Sequence, residues 1–247
     1  MLIRKSAALL AILALVAAGE LWYHRPPAPR GRHAGFVSYQ ADPRRQQLAL
    51  YWRDEHGQPL RSLGRLQSWL RGRGQTLVFA TNGGMYRAGN VPVGLFIQDG
   101  RTMTPLDTAA GAGNFYLQPN GVFYLTADGQ AGICRTRDFR PGPRIRYATQ
   151  SGPMLVVDGR LHPAFRAGSK NLNVRNGVGL LPDGQLLFAM SKAPVSFYDF
   201  ACYFQQLGCR QALYLDGYVS RTYLPGQGWR QTDGDFGVMI GVAEPGR

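Results

Sequence analysis

The chain has 247 residues, of which 45% are hydrophobic and 17% are charged. This composition excludes a disordered chain and suits one packed domain or two small ones. The formal net charge is +13, but the basic residues form no Lys/Arg repeats interleaved with aromatics, so we expect no nucleic-acid partner.

The first residues are typical of an export signal, because Arg4 and Lys5 precede an apolar run over residues 7–18 that ends in small residues. The run is shorter than the roughly 20 residues of a membrane span. Residues 1–18 are therefore predicted to be a signal peptide or, alternatively, an uncleaved membrane anchor. Both predictions place the rest of the chain outside the cytoplasm. It is then free in the periplasm, anchored to the inner membrane and facing the periplasm, or secreted. There a basic protein meets anionic glycans and phosphorylated substrates.

Residues 19–34 are rich in Pro and Arg and are predicted to be a tether, followed by one domain over residues 35–247. Residues 35–41 and 46–52 alternate in polarity like the two strands of a hairpin. Residues 62–71 carry apolar side chains at helical spacing, with Ser62 as the expected N-cap. Residues 76–80 then form an apolar run that predicts a buried strand.

Four Asp-Gly dipeptides, each between two apolar runs, predict four hairpins, because such a turn needs positive φ. Their aspartates are Asp99, Asp128, Asp158 and Asp183. A helix is predicted over 196–207, followed by a last strand pair within 212–224 and 236–242. The expected fold class is α+β: a single domain with an antiparallel or mixed β-sheet core built from hairpins, with a few helices.

Polar side chains next to glycines follow several predicted strands. The segments TNGGMY, QSGPML, VRNGVG and LYLDGYVS begin at residues 81, 150, 174 and 213. Glycine lets a ligand approach the backbone closely, and exposed N–H groups bind oxyanions. Taken alone, each segment is better explained as a turn or a strand end, so Asn82, Ser151 and Asp216 are candidates only as a set.

The cysteines and histidines indicate no metal or nucleophile site. Cys202 lies in the second predicted helix and Cys209 just past its end, and the two either form a disulfide or pack as small apolar residues. The four histidines are scattered and show no zinc-ligand spacing with cysteine, which also argues against a Ser/His/Asp or Cys/His catalytic site.

Seven segments in order resemble the phosphodiester glycosidase family: ATNGGMY, PVGLFIQDG, NGVFYL, QSGPMLVVDG, RNGVGLLPDG, LGCRQALYLDG and FGVMIGV. The similarity covers residues 35–242 and is greatest to bacterial envelope members. It implies an α+β fold with a cleft at the Gly-rich strand ends. It also implies functional roles for Asn82, Gly83, Arg175 and Asp216, and secondarily for Ser151 and Asn176. Tyr218 and Val219 depart from the family pattern beside Asp216, which bears on the identity of the substrate.

The chemistry of such a bond suggests a role for each candidate. Asp216 is the best-placed carboxylate for a positively charged anomeric centre. Arg175 would supply a guanidinium fork for phosphate, and Asn82 would hold a sugar hydroxyl or a water molecule. The remaining predicted substrate contacts are Gly83, Gly84, Ser151, Asn176, Tyr218, Ser220, and the two lysines Lys170 and Lys192, for which solvated surface positions are the alternative.

Two functions follow from these features. The first is an exported hydrolase that cleaves sugar-1-phosphodiester linkages in envelope or extracellular glycans. The second is a non-catalytic module in the cell envelope that binds anionic or phosphorylated glycans. With either function, the N-terminus is a further expected point of attachment to a membrane. No cofactor is predicted; Ca²⁺ held by acid and carbonyl oxygens is the alternative.

Overall fold

The computed structural model describes residues 34–216 and 219–246. The predicted signal peptide or anchor lies outside the described residues, as do residues 19–33 of the predicted tether, and so does Tyr218. No helix in the described part of the chain is both long and apolar enough to cross a membrane.

Three sheets and one short strand pair make up the body. In spatial order, sheet 1 contains β1 (Phe36–Ala41), β14 (Leu186–Ser191), β13 (Asn176–Leu180), β15 (Gln211–Tyr214), β11 (Met154–Val157) and β12 (Arg160–Leu161). Sheet 2 contains, again in spatial order, β7 (Arg101–Thr104), β6 (Phe96–Gln98), β10 (Ile145–Ser151), β8 (Gly121–Thr126) and β9 (Ala131–Arg135). Sheet 3 contains β17 (Trp229–Arg230), β16 (Thr222–Leu224), β3 (Gln75–Gly84), β18 (Val238–Pro245) and β2 (Gln47–Tyr51). The short pair is β4 (Tyr86–Arg87) with β5 (Val91–Pro92).

Every strand pairing among the described residues is antiparallel. Two α-helices accompany the sheets in this part of the chain: α1 (Leu63–Arg71) and α2 (Phe197–Gln206). The fold is therefore mostly antiparallel β, rather than a balanced α+β arrangement. Of the two sheet types predicted, the antiparallel one is confirmed.

The four Asp-Gly hairpins are confirmed. They are β6–β7, β8–β9, β11–β12 and β13–β14, and the glycine of each turn has a φ between 77° and 83°. Asp99 and Asp158 also adopt positive φ, at 50° and 52°. These aspartates are therefore turn residues, as the sequence indicates.

Two strand pairings predicted from the sequence are wrong. β1 pairs with β14 in sheet 1, whereas β2 pairs with β18 in sheet 3, so the first two strands do not form a hairpin. The turn between them, closed by hydrogen bonds from the Arg45 and Gln46 amides to the Asp42 carbonyl, sends the chain from one sheet to another. Likewise the segment 212–224 does not pair with β18: β15 lies in sheet 1, and β16 lies in sheet 3 but is separated from β18 by β3.

Both helices begin where the sequence predicts. Ser62 caps α1 by accepting a hydrogen bond from the Arg65 amide at 3.2 Å. Ser196 caps α2 by accepting one from the Asp199 amide at 3.1 Å. These bonds satisfy N–H groups that have no partner within the helix.

The core lies where the three sheets face one another. Phe188 of sheet 1, Phe123 of sheet 2 and Phe79 of sheet 3 belong to one buried cluster, and Phe188 contacts both of the others with ring centroids 5.1–6.2 Å apart. α2 covers the outer face of sheet 1, and α1 covers that of sheet 3. Because burial of apolar area is the main force for folding, this shared core fixes how the sheets meet.

The predicted disulfide between Cys202 and Cys209 is not formed, since the structure holds all three cysteines as free thiols. Cys202 is hydrogen-bonded to Tyr198 on α2. Cys209 packs in the space that a side chain on Gly179 would occupy, and burial raises the pKa of its thiol to about 12. The packing interpretation of these cysteines therefore describes the structure.

Candidate active site

The backbone that follows β15 is held by side chains from several directions. The Leu215 carbonyl accepts a hydrogen bond from the Ser151 hydroxyl at 2.6 Å. The Asp216 amide donates to Asn176 Oδ1 at 2.9 Å, and the Asp216 carbonyl accepts from Ser220 Oγ at 2.7 Å and Asn82 Nδ2 at 3.4 Å. The position of Asp216 is therefore fixed through its own main chain.

The Asn176 side chain has the largest number of partners in this group. Its Nδ2 donates to Thr81 Oγ1 at 2.9 Å, to the Asn82 carbonyl at 2.7 Å and to Asn82 Oδ1 at 3.0 Å. Its Oδ1 accepts from the Asp216 amide, and its own carbonyl accepts from the Leu215 amide at 3.1 Å. One amide side chain thus connects β3 of sheet 3 to the end of β15 in sheet 1.

These contacts join all three sheets. Asn82 comes from sheet 3, Ser151 from sheet 2 and Asn176 from sheet 1, while Asp216 and Ser220 come from the segment between β15 and β16. We call these five residues the polar hub. Their exposed fractions are 0–3% except for Asp216, which is 7% exposed. Because a buried polar group without a partner costs free energy, a network this closely bonded holds one geometry.

Asp216 is the acid of the hub and its most exposed member, although it is still largely buried. Tyr86 lies within its electrostatic reach: burial raises the pKa of the Tyr86 hydroxyl, and the negative charges of Asp216 and Asp235 raise it further. Asp235 binds Arg61 Nε at 2.8 Å and accepts from Asn90 Nδ2 at 2.7 Å, and these contacts hold the pKa of its carboxyl below the usual range. A protonated phenol therefore faces a region with two carboxylates.

The structure corrects the role predicted for Asn82. Its side chain is fully buried, and its Oδ1 accepts from both Asn176 and the Arg221 amide, the latter at 2.9 Å. Its Nδ2 donates to the Asp216 carbonyl. Asn82 therefore positions Asp216 and the adjacent chain, and does not present its amide to a sugar hydroxyl.

The predicted role of the two glycines also changes. A Cβ on Gly83 would lie 2.7 Å from Ile240 Cγ1, and one on Gly84 would lie 2.7 Å from Thr149 Oγ1. The space beside both residues is filled by protein. Glycine is required here because neighbouring strands pack closely against β3.

Arg175 is buried and is not presented as a phosphate fork. Its Nε donates to the Val195 carbonyl at 2.9 Å, its Nη2 to the Asn171 carbonyl at 2.9 Å, and its Nη1 lies 3.5 Å from the Tyr214 hydroxyl. The guanidinium also stacks on Phe197, 3.6 Å from the ring centre, and burial lowers its pKa. Arg175 lies just before β13, and its side chain contacts no hub residue; its partners are Asn171, Val195, Phe197 and Tyr214.

The lysines differ from each other in position. Lys170 is exposed on the loop before β13, outside the hub. Lys192 is also exposed, but it lines a pocket that reaches Ser220. Among the described residues, no group of three or more His, Cys, Asp or Glu side chains is arranged to hold a metal ion.

Sequence reasoning missed two residues of the site. Thr81 Oγ1 accepts from Asn176 and donates to the Arg221 carbonyl at 3.0 Å, and the Arg221 amide completes the contacts of Asn82. Thr81 and Thr222 face each other across β3 and β16, which is a pairing between distant parts of the chain. The sequence feature that could have indicated Thr81 was its position next to Asn82. No sequence feature indicated Arg221, because its role depends on the pairing of β3 with β16.

Comparison with known proteins places these features in context. The family model for phosphodiester glycosidases matches residues 75–242, which include all of the hub. The uncharacterised protein YigE of Escherichia coli (strain K12) is 36% identical over 210 residues, covering 85% of this chain and 82% of YigE.

Two solved structures share the fold. The zebrafish N-acetylglucosamine-1-phosphodiester alpha-N-acetylglucosaminidase catalytic domain, auto-inhibited by its pro-peptide, matches with a TM-score of 0.58 at 15% identity, over 85% of both chains. A protein of Burkholderia pseudomallei K96243 that is named as exported matches with a TM-score of 0.55 at 12% identity, over 84% of this chain and 73% of its own.

Proposed function

This chain belongs to the phosphodiester glycosidase family, and on that premise we propose that it is an exported hydrolase that cleaves sugar-1-phosphodiester linkages in envelope or extracellular glycans. The observation that carries the proposal is the placement of Asp216, whose amide and carbonyl are bound by Asn176, Ser220 and Asn82. Asp216, which belongs to one of the family motifs, is thus an acid held in a fixed position.

Cleavage of this bond needs a carboxylate more than it needs a general acid. The bond between the anomeric carbon and the phosphate oxygen breaks, its electron pair leaves with the phosphate, and water supplies the new oxygen on carbon. Positive charge develops on the sugar, and a carboxylate stabilises it, attacks it or activates the water. Phosphate is a weak base and leaves without being protonated first, so the reaction is compatible with a single acid in the hub.

The hub would contribute to catalysis because it holds Asp216 in place before the reaction begins. Charges and dipoles fixed before the reaction stabilise a transition state without the cost of reorienting during it. Asp216 is held through backbone bonds, which leave its carboxylate oriented by the chain. Burial and the charge of Asp216 raise the pKa of the Tyr86 hydroxyl, which therefore keeps its proton and is suited to donating a hydrogen bond to a sugar oxygen.

The first substrate to test follows from the zebrafish enzyme, whose name specifies an N-acetylglucosamine-1-phosphodiester. Glucose and galactose 1-phosphodiesters complete a panel that varies the sugar. We expect the parent protein to release a reducing sugar from at least one of them.

The variant Asp216→Asn tests the assignment of the acid. It keeps the size of the side chain but removes the charge, so kcat should fall by roughly a hundredfold or more while the protein remains folded. The matched control is Asp183→Asn, the same exchange in an exposed Asp-Gly turn, which should retain parental kcat. A folded Asp216→Asn protein with parental turnover would refute the assignment. A parent that cleaves no member of the panel but binds anionic glycans would support the binding module instead.

Export is a separate part of the proposal. It is supported by the charged and apolar N-terminus and by the name of the Burkholderia protein that shares the fold. An alkaline phosphatase fusion after Arg30 should be active in a bacterial host, because that reporter matures outside the cytoplasm. An inactive fusion that is expressed at normal levels would contradict export.

A further inference from the structure

A polar pocket of about 260 Å³ adjoins the hub on the side of Ser220. Its lining comes from three places: the chain before β13, the end of β14, and the β16–β17 region. The lining residues include Lys192, Ser220 and Arg221. Drug-sized ligands occupy pockets of about 300–1,000 Å³, so this one suits a smaller group.

The lining of the pocket carries two positive charges and no carboxylate among the described residues. Lys192 has no ion-pair partner within that part of the chain, whereas Arg221 shares its charge with Asp233, whose carboxylate lies 2.8 Å from Arg221 Nε. The Arg221 Nη1 also donates to the Ser220 carbonyl at 3.0 Å, which fixes the side chain. A phosphate group is a ligand that matches this combination of an ammonium and a guanidinium.

The pocket is connected to the main chain of Asp216 and to the hub. Ser220 lines it and also donates to the Asp216 carbonyl, and the Arg221 amide donates to Asn82 in the hub. The cationic pocket and the carboxylate are thus held by the same short segment.

We propose that this pocket is the subsite for the phosphate group of the substrate, which rests on the function proposed above. The phosphodiester then binds in one direction: the phosphate lies against Lys192 and Arg221, and the anomeric carbon lies at the carboxylate of Asp216. After cleavage the phosphate monoester occupies the pocket as product. At neutral pH it carries nearly two negative charges, compared with one on the diester, so the same two cations stabilise the leaving group as its charge grows.

The small number of lysines in this protein allows a direct test. Lysine occurs at three positions, Lys5, Lys170 and Lys192. Reductive methylation with carbon-13 formaldehyde would give each lysine an NMR signal, and loss of a signal in Lys192→Gln assigns that residue. Titration with methyl phosphate should shift the Lys192 signal in a saturable manner and leave the Lys170 signal in place.

Binding of methyl phosphate to the unmodified variants provides the second readout. Lys192→Gln should weaken binding by about tenfold, the equivalent of one charge-assisted contact. The matched control is Arg210→Gln, which removes one exposed charge just before β15, at the end of that strand opposite Asp216, and should leave binding unchanged. Equal weakening by both variants would indicate a general effect of net charge and would overturn the proposal.

The two proposals fail in different ways. If the parent protein turns over a phosphodiester but Lys192→Gln alters neither the KM nor methyl phosphate binding, the subsite is wrong and the hydrolase stands. If methyl phosphate binds at Lys192 while no phosphodiester is cleaved, the subsite stands and the hydrolase does not.

Discussion

At the scale of single residues, the hub depends on the side-chain amide of Asn176. Asn176→Ala would leave the Asp216 amide without its acceptor and would remove one donor from both Thr81 Oγ1 and Asn82 Oδ1. A buried polar group left unpaired costs about 1–3 kcal/mol, so the free energy of unfolding should fall by at least that much. The kcat should fall by roughly a hundredfold as well, because a small displacement of a catalytic group is expensive. Urea unfolding and turnover measure the two effects.

Asn114 gives the control for that experiment, since it is an exposed asparagine at the surface. Asn114→Ala should change the free energy of unfolding by less than about 0.5 kcal/mol, the usual range for surface positions. If Asn176→Ala behaved like Asn114→Ala in both measurements, the hub would not hold Asp216 in the way described.

His162 predicts a dependence of stability on pH. Burial lowers the pKa of its imidazole, and its Nε2 is buried without a hydrogen-bond partner in the described part of the chain. Its Nδ1 accepts from the Ala164 amide at 3.1 Å, which requires that nitrogen to be unprotonated. The unfolded chain therefore takes up the proton first, near pH 6.5, and the folded state loses stability as the pH falls below that value.

The measurement is the free energy of unfolding between pH 8 and pH 5, for the parent and for His162→Gln. The variant should start from a lower stability, because it disturbs a buried site, and should lose less as the pH falls. Parallel curves for the two proteins would show that His162 takes no part in the pH dependence.

At the scale of the elements, Arg175 joins two loops of sheet 1. Its guanidinium ties the Asn171 carbonyl before β13 to the Val195 carbonyl before α2, and the two loops also meet in a bridge between Asn173 and Val195. Arg175→Lys keeps the charge but cannot make both bonds. Since a hydrogen bond to a charged group is worth about 1.5–3 kcal/mol, the free energy of unfolding should fall by about 2 kcal/mol or more.

The same variant separates a structural arginine from a phosphate ligand. Stability measured by urea unfolding should fall, while the affinity of the folded protein for methyl phosphate should change by less than about threefold, well below the loss of one charge-assisted contact. A protein of parental stability that had lost phosphate affinity would instead support the guanidinium fork that the sequence suggested.

Local signals predicted the local elements well. Asp-Gly turns predicted four hairpins, and Ser62 and Ser196 marked the starts of both helices, because turn and cap geometry depends on neighbouring residues alone. The partners of β1, β2 and β18 could not be predicted in that way. Each pairs with a strand far away in the chain, and alternating polarity indicates that a strand exists without indicating its neighbour.

The members of the site could be predicted from the sequence, but their individual roles could not. The motifs around Asn82, Ser151, Asn176 and Asp216 were correctly expected to meet, on the strength of a family resemblance. Their individual roles were not, since Asn82 and Arg175 turn out to be buried and fully engaged with protein groups. Residue type indicates what a side chain can bind, whereas burial decides what it can reach.

At the scale of the whole molecule, the site exists because three antiparallel sheets share one core. Each contributes one strand end to the same point, and a fourth segment, after β15, carries the acid. A change in how any sheet packs would therefore move a hub side chain relative to Asp216. We conclude that the fold and the proposed activity depend on the same long-range contacts.

The central claim is that this protein breaks the bond between the anomeric carbon and oxygen through Asp216. Phosphorus NMR of the products formed in oxygen-18-enriched water tests it most directly, using the best methyl sugar-1-phosphodiester of the panel. Cleavage at the anomeric carbon should give methyl phosphate without the heavy isotope together with free sugar, and Asp216→Asn should form these products at least roughly a hundredfold more slowly. Heavy oxygen in the phosphate, or release of sugar-1-phosphate and methanol, would show attack at phosphorus and contradict the account.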